Sequence, residues 1–232
     1  MSESSLLRTR VKICGLTREQ DVDAAVTAGA DAVGLVLYPK SPRFLTAARA
    51  GELARRLPPF VTPVLLFVNA TPAEVLEALD RVPGAFLQFH GDETPEQCHA
   101  ASRDSKVGWM RAARVPLGAG AVPPDLVKYA SDFSGARGLL LDAHVEGYGG
   151  GGKTFDWSLL PPSVDAHLVL SGGLTPANVG EGIAALRPRG RSLAVDVSSG
   201  VEVSKGIKDA ARIHQFIAAV RTADARLSLS YS

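Results

Sequence analysis

VKICGLTREQDVDAAVTAGADAVGLVLY, residues 11–38, decides the fold. An apolar run opens at Val11 (VKIC), and a polar loop follows. Arg18 to Ala28 then sets Val22, Ala25 and Val26 three and four residues apart on one face, before a second apolar run opens at Val33 (VGLVLY). The pattern is strand, amphipathic helix, strand. The same unit recurs outward along the chain. Further apolar runs open at Pro63 (PVLLFVN), Phe86 (FLQFH), Val107 (VGWMRA), Gly138 (GLLLDA), His167 (HLVLSG) and Ser192 (SLAVDVS). That makes eight, with starts about 26 residues apart, close to the length of one βα unit. Between them, Pro72 to Arg81 reads as a helix behind Thr71, an N-cap followed by proline at the first helical position. Pro176 to Leu186 repeats that device behind Thr175, and Asp209 to Arg221 closes the last unit. The fifth helix, Pro124 to Ala130, is short, and the sixth shrinks to a turn near Phe155 to Leu160.

Several of these strands are apolar without alternation, as expected of a parallel sheet covered on both faces. Right-handed crossovers allow an open sheet or a closed barrel, and eight units in 232 residues favour closure. No glycine-rich dinucleotide fingerprint follows the first strand. The expectation is an α/β protein, a single (β/α)8 TIM barrel with a parallel eight-stranded sheet. It is one domain over residues 1–232, fraying after about Thr222, where ARLSLSYS loses the helical period.

Composition narrows the function. Lys and Arg number 25 against 24 Asp and Glu, a formal charge of +1. That balance gives no electrostatic footprint for nucleic acid, and no block of like charge suits a membrane surface. Two cysteines, Cys14 and Cys98, cannot build a disulfide framework and suit a reducing compartment. The opening MSESSLLRTR is too short in apolar residues for a signal peptide, and no run of about 18 apolar residues could span a bilayer. The expected protein is cytoplasmic, a monomer or homodimer, with a small phosphorylated molecule as its partner.

In this fold the site lies at the C-terminal ends of the strands. The polar residues there are Cys14, Arg43, Asn69, His90, Arg111, Asp142, Ser171 and Ser198. The loops after strands seven and eight, LSGGLTPANV from Leu170 and VDVSSGVE from Val195, are rich in Gly and Ser at the usual phosphate position. Gly172, Gly173, Ser198, Ser199 and Gly200 are therefore the candidate phosphate binders. By the two-residue strand period, Gln88 and His90 share a face, as do Lys12 with Cys14 and Asp196 with Ser198. If those faces point inward, Lys12 and Asp196 meet where strand eight closes on strand one, as an ion pair.

The motifs VKICGLTR from Val11, GLVLYPKSPR from Gly34, LQFHGDE from Leu87, LLLDAHV from Leu139, GGGGKTFDW from Gly149, LSGGLTPANV and VDVSSGVE span nearly the whole chain. In that order they resemble the phosphoribosylanthranilate isomerase family of tryptophan biosynthesis. The resemblance implies an Amadori rearrangement without metal or organic cofactor, by general acid–base catalysis. N-(5-phosphoribosyl)anthranilate becomes 1-(2-carboxyphenylamino)-1-deoxyribulose 5-phosphate. It further implies Cys14 as general base, Asp142 as general acid and Arg43 as partner of the anthranilate carboxylate. His90 either contacts substrate or orders loops, and Asp196 either pairs with Lys12 or binds a sugar hydroxyl. A base thiol would need cations or a helix dipole to lower its pKa, and an acid carboxyl would need burial or a neighbouring carboxylate. Cys98 falls in a helix as a core residue. In one departure, Gly151 stands where the family carries threonine, in a Gly149–Gly152 run that would form a lid bringing Lys153 near the ligand. The rival readings are a related phosphosugar isomerase or epimerase, and a non-catalytic sugar-phosphate-binding barrel.

Overall fold

Each apolar run forms a strand, and the eight strands close on one another. They are β1 (Arg10–Cys14), β2 (Ala32–Val36), β3 (Thr62–Phe67), β4 (Phe86–Phe89), β5 (Trp109–Pro116), β6 (Leu139–His144), β7 (His167–Leu170) and β8 (Ser192–Val197). The computed structural model describes residues 8–103, 106–116, 124–144, 154 and 156–230. All eight pairings are parallel, and β8 returns to β1 with Lys12 opposite Asp196. The connecting helices are α1 (Glu19–Ala28), α2 (Ala47–Ala54), α3 (Pro72–Arg81), α4 (Pro95–Ala101), α5 (Leu126–Asp132), α6 (Val179–Leu186) and α7 (Ala210–Ser230). A 3-10 turn, Trp157–Leu159, stands after β6. After β8 comes a small antiparallel hairpin that the sequence reading did not include, β9 (Glu202–Ser204) and β10 (Ile207–Lys208).

The alternation of side chains divides each strand between two cores. Outward residues such as Ile13, Leu35, Phe67 and Val195 pack with helix residues such as Val22, Leu53, Val75 and Phe216 in one large buried cluster. Burying each such side chain contributes about 1.5–3 kcal/mol. Inward residues fill the barrel in layers. Val64, Met110, Ala112 and Leu140 form an apolar floor with Ala32, Phe86 and Val169 against it. Above that floor the inward positions turn polar: Lys12, Gln88 and Asp196 are all buried.

Two helix boundaries differ from expectation by more than two residues. The helix behind Thr175 begins only at Val179, because Asn178 Oδ1 accepts from Thr175 N at 2.8 Å and its Nδ2 donates to Gly173 O at 3.1 Å. That side chain holds residues 175–178 in a turn that competes with the first helical turn. The chain also does not fray after Thr222. Helix α7 continues to Ser230, tied down by Asp224, which accepts from Thr9 N at 2.7 Å and Thr9 Oγ1 at 2.6 Å and pairs with Arg187. Among the described residues no helix is long and apolar enough to cross a membrane.

Candidate active site

At the C-terminal end of the barrel lies an open cleft, the place where a barrel of this kind carries its site. Cys14, Arg43, His90, Asp142, Asp196 and the loops after β7 and β8 all contribute to its wall. On the barrel order, β1 and β6 stand three places apart one way round and five the other, so Cys14 and Asp142 reach the cleft from different sides.

Cys14 ends β1 and is 5% exposed. Its neighbour on β2 is Gly34, and a Cβ there would lie 2.6 Å from Cys14 Sγ and 2.9 Å from Lys12 Nζ. The missing side chain is what lets the thiol and the ammonium share this space. Lys12 Nζ donates to Asp196 Oδ1 at 2.8 Å, so the expected ion pair is present, and Ser171 Oγ donates to Asp196 Oδ2 at 3.2 Å. Burial opposes the Lys12 charge, but Asp196 and Cys14 hold its pKa above the ordinary value. Burial raises the Cys14 thiol, while the Lys12 and Lys208 ammoniums pull it back down and Asp196 adds to the rise. The cation expected beside the thiol is there, yet desolvation outweighs it.

The pair dictates one stability prediction. Asp196→Ala strands the Lys12 ammonium in the barrel mouth, where removing one partner of a buried pair costs about 3–5 kcal/mol. Urea unfolding should show a lower midpoint at unchanged slope. A loss under about 1 kcal/mol, the worth of an exposed pair, would show that Lys12 does not need the carboxylate.

Across the cleft, Asp142 Oδ2 lies 3.0 Å from His90 Nε2, and His90 Nδ1 lies 2.8 Å from Gln88 Nε2. Asp142 is partly buried, and the partner the structure gives it is this imidazole rather than a second carboxylate. Arg43 is buried and binds Glu202 through both Nε and Nη2, at 2.7 Å each. Glu202 also accepts from Lys208 Nζ at 2.8 Å, and that ammonium reaches Ser198 O at 3.1 Å and Ser198 Oγ at 3.2 Å. Arg43, Glu202 and Lys208 thus brace the loop after β8 from behind. Glu202 and Lys208 went unread in the sequence, although the alternation of VEVSKGIK about a Lys-Gly turn is the mark of a hairpin.

Gly172, Gly173, Ser198 and Ser199 all line the cleft, whereas Gly200 does not. Gly200 packs against the carbonyl of Leu174 so closely that any Cβ would collide, which locks the two loops together. Gly172 has φ +80°, and a Cβ there would run into Ala143 N and come within 2.9 Å of Asp142 Oδ1. The loop after β7 therefore rests directly on the end of β6.

Other strand-end residues take structural work. Arg111 is buried, donating to Phe89 O and Gly91 O at 2.9 Å and to Glu93 at 3.2 Å. Asn69 braces the same loops, its N donating to Glu93 Oε1 and its Oδ1 accepting from Asp92 N. Lys40 is exposed. Cys98 is buried in α4, and burial pushes its thiol up to about 12, consistent with a core role. The Gly149–Gly152 run and Lys153 lie outside the described residues.

A sequence model of the family described as N-(5'phosphoribosyl)anthranilate (PRA) isomerase matches residues 11–219. The N-(5'-phosphoribosyl)anthranilate isomerase of Leptothrix cholodnii is 60% identical, over 94% of this chain and 94% of its own. The crystal structure of phosphoribosyl anthranilate isomerase from Thermotoga maritima is similar with a TM-score of 0.80 at 40% identity, covering 92% of this chain and 99% of that one. A phosphoribosyl anthranilate isomerase in complex with reduced 1-(o-carboxyphenylamino)-1-deoxyribulose 5-phosphate is similar with a TM-score of 0.74 at 36% identity, over 92% and 99% of the two chains.

Proposed function

The chain belongs to the N-(5'-phosphoribosyl)anthranilate isomerase family, and on that premise we propose that Cys14 is its general base and Asp142 its general acid. The reaction is the Amadori rearrangement of N-(5-phosphoribosyl)anthranilate to 1-(2-carboxyphenylamino)-1-deoxyribulose 5-phosphate, in tryptophan biosynthesis.

The chemistry needs two proton transfers on one sugar. Asp142 gives a proton to the ring oxygen as the furanose C–O bond breaks and the amine lone pair forms the C1=N bond. That electron-poor bond acidifies carbon 2, and the Cys14 thiolate removes its proton to leave an enolamine. Moving the enol proton to carbon 1 gives the ketone, and exchange with water returns both side chains to their starting states. Two groups held in opposite proton states on different sides of one cleft suit this division of work. The phosphate is placed against Gly172, Gly173, Ser198 and Ser199, with Gly200 fixing the loops to each other. Arg43, with its Nε/Nη2 fork on Glu202, offers Nη1 to the anthranilate carboxylate in a charge-assisted hydrogen bond. Asp196 serves the barrel mouth through Lys12, and a sugar hydroxyl is the second partner we assign it. A cytoplasmic location and a monomer or homodimer complete the reading.

The observation that carries it is the meeting of Cys14, Asp142 and both small-residue loops in a single cleft. Freshly made N-(5-phosphoribosyl)anthranilate should lose its anthranilate-type fluorescence when the purified protein is added. Tight binding without that loss would mark a non-catalytic sugar-phosphate barrel instead.

A further inference from the structure

Gln88 stands on the floor side of His90 and is fully buried. Its side chain makes one hydrogen bond, from Nε2 to His90 Nδ1 at 2.8 Å, and among the described residues its Oε1 has no partner. A buried amide whose one bond among the described residues goes to a histidine ring acts on that ring's protons. With Nε2 donating, Nδ1 must be a bare lone pair, so His90 carries its single proton on Nε2 and donates it to Asp142 Oδ2 at 3.0 Å. An imidazolium would set its Nδ1–H against an N–H of the amide. Turning the amide to relieve this would leave both of its N–H groups unpaired in a buried place, where orphaned donors are rarer than orphaned carbonyls.

We propose that Gln88 is a positioning residue that holds His90 neutral as the Nε2–H form. It thereby keeps the imidazole from taking the proton that Asp142 must give to the substrate. The inference rests on Asp142 being the general acid. A carboxyl and an imidazole in contact ordinarily settle as carboxylate and imidazolium, and a spent carboxylate cannot open the furanose ring. Here His90 occupies Oδ2, and the acid proton stays on Oδ1, the oxygen on the Gly172 side. No proton crosses the imidazole in the step. The pair begins as Asp142 Oδ1–H with His90 Nε2–H and ends, one proton lighter, as the carboxylate with the same imidazole tautomer. Lone-pair repulsion against the new carboxylate is avoided because His90 is already a donor.

Among the described residues, the charged and titratable groups around this cluster are Cys14, Tyr38, Arg43 and Asp196 on the cleft wall, with Lys12 beyond Asp196. From β5, Arg111 is held by two carbonyls and Glu93, and Arg114 pairs with Asp92. Leu66 of β3 and Val68 just after it give the wall apolar side chains.

The test is 15N NMR of histidine-labelled protein, with His90→Gln to identify its signal among the five histidines, beside steady-state kinetics. In the parent protein His90 should show the neutral Nε2–H form. Gln88→Met, which keeps the shape without the donor, should let the other proton states of the ring appear. It should lower kcat about tenfold, the worth of one hydrogen bond, with KM changing less. Gln88→Glu, an acceptor only, should fix imidazolium and lower kcat further. An Nδ1–H or imidazolium signal in the parent protein overturns the proposal without any variant having to fold, and so does Gln88→Met with unchanged kcat. If His90 behaves as expected while Asp142→Asn keeps full turnover, the acid assignment fails and the action of Gln88 on His90 stands.

Discussion

Serine at position 14 should lower kcat by roughly 10²- to 10⁴-fold, the contribution of a positioned base, and leave substrate binding nearly as it was. The side chain keeps its shape in the space Gly34 leaves open, and Lys12 stays beside it, paired with Asp196. What changes is ionisation, because an alcohol holds its proton far above the range of a thiol. The pH dependence separates this from a packing defect. Burial raises the Cys14 thiol, and in the proposed mechanism it is the ionised form that takes the proton from carbon 2. In the parent protein kcat/KM should therefore climb with pH as the thiolate forms, and Cys14→Ser should flatten the climb. Since the Lys12 ammonium pulls the thiol down, Lys12→Met should move the climb to higher pH. A serine variant with the parent's turnover would remove Cys14 from the chemistry.

Asp142→Asn should cost a comparable factor, roughly 10²- to 10⁴-fold in kcat, for the complementary reason. Asparagine matches the carboxyl in size beside Gly172 and His90, so the loop after β7 keeps its seat on β6. It has no proton to give to the departing ring oxygen. Affinity for the reduced product analogue should stay within a few-fold of the parent's, because the proposed reading gives its phosphate and carboxylate to other residues. Full turnover in the asparagine variant would move the acid role elsewhere in the cleft, with His90 the first place to look.

How much of this could be read beforehand differs from element to element. Pro72–Arg81 was delimited to the residue, because its start is marked locally by Thr71 as N-cap and Pro72 at the first helical position, and the structure adds Glu74 to complete a capping box. The start of α6 was misplaced although Thr175-Pro176 looks much the same. There Asn178 bonds the backbone on both sides of the turn, and a side chain's choice between helix and turn is made by the loop it sits in. The end of α7 was misplaced for a longer-range reason, since Asp224 is held by Thr9 from the other end of the chain. Lys12 and Asp196 were paired in advance because strand period and barrel closure together fix their register. Glu202 and Lys208 were not, because the hairpin pattern does not say that Glu202 would meet Arg43 from the loop after β2 or that Lys208 would turn back onto Ser198. Nor does the run FLQFH say that Gln88 would meet nothing but an imidazole nitrogen.

By itself the sequence determined the barrel, its eight units, the end of the barrel that carries chemistry and the two loops suited to an anion. All of these follow from local periodicity and short motifs, which need no knowledge of distant partners. Tertiary structure alone decided the electrostatic state of the site. Whether burial or a neighbouring ammonium governs Cys14, and which nitrogen of His90 faces Asp142, depend on groups from β1, β4, β6 and β8 brought within a few ångströms. Coulomb and desolvation energies vary with distance and dielectric, and neither is set until the ring of strands has closed.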